Sequence, residues 1–78
     1  MGKVGELIRK KRVKLGLKVY ELAKKAGINP VYITQIEKHG KLPSDSVFGK
    51  IEKALGTNYY SFYVKEKYPE IAKRLKLK

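Results

Sequence analysis

The stretch Tyr20 to Lys38, YELAKKAGINPVYITQIEK, leaves this chain little conformational freedom. Leu22, Ala23 and Ala26 recur at the spacing that puts side chains on one face of a helix. Gly27 follows where that helix must stop, because a left-handed residue costs glycine little. Asn29 and Pro30 then restart the chain. Asn29 is a good N-cap, and Pro30 suits the first helical position, where its missing N–H would be unpaired anyway. The second helix runs to about Lys38, with Ile33, Ile36 and Glu37 on its inner face.

Helix, glycine turn and capped helix is the pattern of a DNA-binding helix-turn-helix, and also that of a plain helical hairpin in a small bundle. Composition bears on the choice. The 78 residues carry 19 Lys and Arg against 7 Asp and Glu, a formal charge of +12. Such an excess favours a polyanionic partner, nucleic acid first and an acidic membrane surface second. A lysine-rich surface of the kind found in proteins of hot environments would look similar. Hydrophobic residues make up 42%, enough for one small core and one domain. With no cysteine and a single histidine, His39, neither a disulfide framework, a thiolate metal site nor a histidine metal cluster is expected. No apolar run is long enough to span a membrane and no leader pattern suggests secretion, so the expected location is cytoplasmic.

The remaining chain reads as further helices. Val4, Leu7, Ile8 and Leu15 mark a first helix, with Lys10, Lys11 and Lys14 facing mostly outward. Arg12 lies four residues after Ile8, inside the apolar stripe, and a buried guanidinium there needs a carboxylate partner. Leu17, after Gly16, is expected as an apolar plug. Beyond the loop His39 to Pro43, Ser44 is a candidate N-cap and Asp45 favours a first turn. Phe48, Ile51 and Leu55 mark the buried face of a fourth helix, with Val47 and Ala54 beside it. Thr57 or Asn58 is expected to cap a fifth helix containing Tyr59, Tyr60, Phe62, Tyr63 and Val64. Pro69 opens a last turn or helix to about Leu77, with Ile71 and Leu75 inward. The pattern predicts an all-α fold of five helices with a short C-terminal helical extension. The expected division is a helix-turn-helix core over 1–56, its motif at about 18–38, and a segment over 57–78 that completes the core and could dimerise.

Several stretches together resemble the Cro and phage-repressor helix-turn-helix family, the XRE family. They are Arg12-Val13-Lys14-Leu15-Gly16-Leu17, then Glu21-Leu22-Ala23-Lys24-Lys25-Ala26-Gly27-Ile28, Tyr32-Ile33-Thr34-Gln35-Ile36-Glu37, Pro43-Ser44 and Ile51-Glu52-Lys53-Ala54-Leu55-Gly56. The resemblance covers about two-thirds of the chain and keeps the family's order. It implies a five-helix, lambda-repressor-like DNA-binding domain whose third helix enters the major groove of double-stranded DNA. It also implies an Arg12–Glu37 salt bridge holding the recognition helix to the first helix. Lys18 and Val19 depart from the Ser or Thr and the Gln common in relatives, which removes an N-cap and a polar DNA contact. His39 stands where relatives often have glycine, with Gly40 one place later.

By this match the base-facing residues are Pro30, Val31, Thr34 and Gln35. The amide of Gln35 can donate to and accept from adenine, Thr34 offers a hydroxyl and a methyl, and Val31 and Pro30 offer apolar contact. Phosphate contacts are expected from Asn29, Lys38 and Lys41, and from Lys18 with the free amides near Val19. The functional expectation is a sequence-specific transcriptional regulator, a repressor acting as a homodimer on two-fold sites. Self-association is assigned to an exposed patch of Tyr60, Tyr63, Tyr68 and Ile71, with Tyr59 and Phe62 given to the core. Two alternatives stand beside this. One is the antitoxin of a toxin–antitoxin pair, its basic tail Lys73 to Lys78 touching an acidic protein partner. The other is a nonspecific basic DNA-coating protein. No cofactor is expected, and no catalytic grouping points to an enzyme.

Overall fold

Left-handed glycines divide the chain into its helices. Gly16, Gly27, Gly40 and Gly56 all take positive φ, between 66° and 73°. In the computed structural model, which describes residues 3–75, the helices between and beyond them are α1 Lys3–Lys14, α2 Val19–Ala26, α3 Pro30–His39, α4 Asp45–Leu55, α5 Tyr60–Lys67 and α6 Pro69–Arg74. Among the described residues there is no strand. The all-α class is therefore as the sequence predicts. The expected end of the last helix near Leu77, and the tail residues Lys76, Leu77 and Lys78, lie outside the described residues.

Local chemistry sets most boundaries. Asn29 Oδ1 accepts a hydrogen bond from the Val31 N–H at 2.9 Å, with Pro30 at the first position of α3. Ser44 Oγ accepts from the Val47 N–H at the start of α4. At α2, Lys18 offers no side-chain acceptor, and Glu21 supplies half of a capping box by accepting the Lys18 N–H at 2.8 Å. At the end of α3, His39 stays helical and Gly40 takes the left-handed turn at φ 66°.

Each helix contributes to one core: Val4 and Ile8 from α1, Leu22 and Ala23 from α2, Ile33 and Ile36 from α3, Phe48, Ile51, Ala54 and Leu55 from α4, Tyr63 and Val64 from α5, and Ala72 from α6. α2 packs on α3 and α4, and α1 packs on α3 and α5. The α1–α3 approach depends on Gly5, where an added Cβ would run into the Ile36 carbonyl oxygen.

The C-terminal third corrects several expectations. Tyr63 is fully buried, not part of an exposed patch, and stacks on Phe48 with ring centroids 4.2 Å apart. Its hydroxyl lies 2.6 Å from the Pro43 carbonyl and 2.8 Å from Asp45 Oδ1, so its one proton is shared between two acceptors. Lys67 Nζ donates back to the Tyr63 oxygen at 2.9 Å and to Pro43 O at 3.0 Å. Neither Thr57 nor Asn58 caps α5; Tyr59 occupies the N-cap position, and Glu52 accepts from the Thr57 hydroxyl and the Tyr59 N–H. The carboxylate of Glu52 thus replaces the expected cap by reaching across from α4. In α6 the buried residue is Ala72, while Ile71 and Leu75 are exposed. Leu15, past the end of α1, is also exposed. Leu15 and Leu75 lie past the ends of their helices, where the helical period no longer applies, whereas Ile71 lies within α6, whose inner side is taken by Ala72.

Candidate nucleic-acid interface

α3 has an inner and an outer face, and the difference follows from helical spacing alone. Ile33 and Ile36 point into the core. Val31, Thr34, Gln35 and Lys38 recur at three- and four-residue intervals and so line the opposite face. Val31 is 59% exposed, Pro30 and Lys38 are exposed, and Thr34 and Gln35 are partly so. An apolar residue left this open at a helix start contributes nothing to the core. The four residues expected to face bases thus share the outer side of one helix, from its first turn to its middle.

That helix is held at a fixed angle by Arg12 of α1. Arg12 Nε donates to Glu37 Oε2 at 2.8 Å and Nη2 donates to Glu37 Oε1 at 2.9 Å, a bidentate pair. Nη1 donates to the Leu17 carbonyl at 2.7 Å, so the same guanidinium also fixes the loop before α2. The side chains are 12% and 4% exposed. The hydrogen bond to Glu37 raises the affinity of Arg12 for its proton, against the opposing effect of burial. The two walls of the motif, α2 and α3, are therefore both tied to α1.

The residues expected at phosphates are arranged less uniformly. Asn29 spends its side-chain oxygen on capping α3, which leaves its amide nitrogen with two donors. Lys38 is exposed in the last turn of α3. Lys18 is exposed beside the α2 N-terminus, while the Val19 side chain packs against the core. The carboxylate of Glu21 sits at that same terminus. Lys41 turns back over the end of α3: its N–H donates to Gln35 O at 3.2 Å, and its Nζ donates to Gln35 Oε1 at 3.2 Å. Its ammonium also lies 4.8 Å from the Tyr32 ring centroid. The sequence gives no hint of this cluster, because Lys41 lies beyond the helix and reaches Gln35 only through the left-handed turn at Gly40.

The acidic residues explain how the charge becomes available. Glu21, Glu37, Asp45, Glu52 and Glu66 all accept hydrogen bonds from the protein itself, Glu66 from the Val4 N–H at the start of α1. Of these only Glu37 pairs with a cation, Arg12, so among the described residues no lysine forms an ion pair and the excess positive charge stays on the surface. Among the described residues no group of His, Asp and Glu could hold a metal ion, and no helix is long and apolar enough to cross a membrane.

A helix-turn-helix family model matches residues 8–62, well over half of the chain and spanning Ile8 of α1 to Phe62 of α5. No curated protein sequence and no solved structure matches it.

Proposed function

This chain belongs to the Cro-type helix-turn-helix family, the XRE family of DNA-binding regulators, and from that premise we propose that it is a sequence-specific repressor that inserts α3 into the major groove. The observation that carries the reading is the outer face of α3. Val31, Thr34 and Gln35 lie where a recognition helix reads base edges, on a helix clamped to α1 by Arg12 and Glu37. Val31 and Pro30 meet apolar base surface such as a thymine methyl, and Thr34 and Gln35 supply hydrogen bonds. Asn29 through its amide nitrogen, Lys38 and Lys41 contact phosphates, and Lys18 and the Val19 amide contact a further phosphate beside α2.

The protein acts as a homodimer, since one such domain makes too few base contacts for high specificity. The dimer surface is the C-terminal segment. Tyr60 and Ile71 are 53% and 49% exposed and line a largely apolar cleft with Val64, Tyr68 and Leu75, beside the polar Asp45, Asn58 and Ser61. Aromatic residues of this kind are enriched at protein interfaces.

Selection of bound duplexes from a randomised library at near-physiological salt tests the reading. Enrichment of a two-fold sequence is the expected result. Retention of DNA with no enriched sequence, together with a steep loss of binding as salt rises, would replace this reading with a nonspecific coating protein.

A further inference from the structure

The Gln35–Lys41 contact restricts what Gln35 can read. An ammonium only donates hydrogen bonds, so the group facing Lys41 Nζ at 3.2 Å must be the amide oxygen of Gln35 and not its nitrogen. The amide orientation is thus fixed by chemistry. The contact is also braced. The Lys41 N–H holds Gln35 O, Gly40 makes the turn between them, and the ammonium rests 4.8 Å from the centre of the half-buried Tyr32 ring. With its oxygen turned to Lys41, Gln35 presents its amino group outward. The ammonium beside it brings further donors. The surface the pair offers to a base is therefore made of donors.

We propose that Lys41 is a specificity-determining positioning residue, which sets Gln35 to read an acceptor edge, guanine N7 and O6, in place of adenine. Adenine recognition by glutamine needs both ends of the amide, one donating to N7 and one accepting from N6. In this protein Lys41 takes one lone pair of the accepting end and sets an ammonium beside it, so a base amino group arriving there meets a second donor and a positive charge. Guanine presents two acceptors in the major groove and no donor, which matches an amino group next to an ammonium. A lysine that merely neutralised a phosphate would weaken binding to every sequence alike. The inference rests on the proposal that α3 enters the major groove.

The experiment compares library selections with wild-type protein, Gln35→Ala and Lys41→Met. The methionine keeps much of the apolar length of lysine without its donors, and position 41 is exposed, so the fold is retained; thermal melting checks this. The base position read by Gln35 is the one whose preference disappears in Gln35→Ala. The expected result is guanine at that position for wild type, with Lys41→Met moving the preference towards adenine by about tenfold relative to guanine. Adenine at that position in wild type would overturn the proposal, as would an unchanged base preference in Lys41→Met with uniformly weaker binding. Absence of any enriched sequence in all three proteins would overturn the major-groove reading as well. An enriched site that Gln35→Ala leaves unaltered would overturn this inference and spare the repressor reading.

Discussion

Replacing Glu37 with alanine leaves a guanidinium stranded. In the wild type Arg12 makes two short hydrogen bonds to Glu37 and one to the Leu17 carbonyl, with its side chain only 12% exposed. Without the carboxylate, the Leu17 carbonyl alone remains, and water has little access. Breaking a pair buried to this extent costs about 3–5 kcal/mol, most of it the cost of leaving the charge unpaired. A domain of this size has a total stability of roughly 4–12 kcal/mol, so the loss is a large fraction of what holds it folded. In thermal terms it corresponds to a fall in Tm of roughly 10–40 °C. Urea unfolding followed by far-UV circular dichroism, at one fixed protein concentration, measures the change directly. The double variant Arg12→Met, Glu37→Leu removes both charges from the same space and recovers most of the loss, because an apolar pair of similar volume needs no desolvated ion. The coupling energy from the full cycle is expected to exceed about 2 kcal/mol. A cost below about 1 kcal/mol for Glu37→Ala, the worth of a surface ion pair, would refute the reasoning.

The two helical glycines without positive φ give opposite outcomes on replacement. Gly5→Ala pushes a Cβ into the Ile36 carbonyl and destabilises by about 1–3 kcal/mol, while Gly49→Ala in α4, where a Cβ meets nothing within 4 Å, stabilises by about 0.5–1 kcal/mol; both are read by urea unfolding. Burial pushes the Tyr63 hydroxyl above the ordinary tyrosine value, and the bond to Tyr63 raises Lys67 as well. The folded chain thus holds these protons more tightly than the unfolded chain does. Their contribution is complete below about pH 10 and is lost as pH rises through the folded-state values. Tyr63→Phe costs about 1–2 kcal/mol at neutral pH, by removing the buried hydrogen bond from the Tyr63 hydroxyl to the Pro43 carbonyl, and flattens the alkaline loss in a pH series of melting curves. Ile71→Asp, at an exposed position, stays folded and lowers the mass seen by light scattering from dimer to monomer; an unchanged mass refutes the C-terminal dimer surface.

How far the sequence reveals the fold depends on how local the determining contacts are. The cores of α1 to α4 are readable because apolar spacing, the Asn29 and Ser44 caps and the stopping glycines all act within a few residues of chain. In α5 the apolar and aromatic residues Tyr60, Phe62, Tyr63 and Val64 crowd into the first five positions, so periodicity does not select an inner face. What selects it is distant: Phe48 stacks on Tyr63, and Pro43 and Asp45 take its hydroxyl. α6 is too short for a period to register, and it buries Ala72 instead of Ile71. In the candidate interface the outer residues of α3 follow from helix geometry once Asn29 and Pro30 fix where it begins. The Arg12–Glu37 partnership comes from family resemblance, since the residues alone show only that Arg12 needs some carboxylate. The Lys41–Gln35 contact depends on the exact turn at Gly40, and the Gly5 approach on tertiary geometry; neither leaves a pattern in sequence.

The central claim is that the outer face of α3 meets the DNA. Amide chemical shifts of the labelled protein, followed as a short mixed-sequence duplex is added at low salt, test it most directly. The account predicts the largest shifts at Asn29, Val31, Thr34, Gln35, Lys38 and Lys41, with little change along α5 and α6. Shifts concentrated on α5 and α6, or on the lysines of α4, with α3 unmoved, would contradict it.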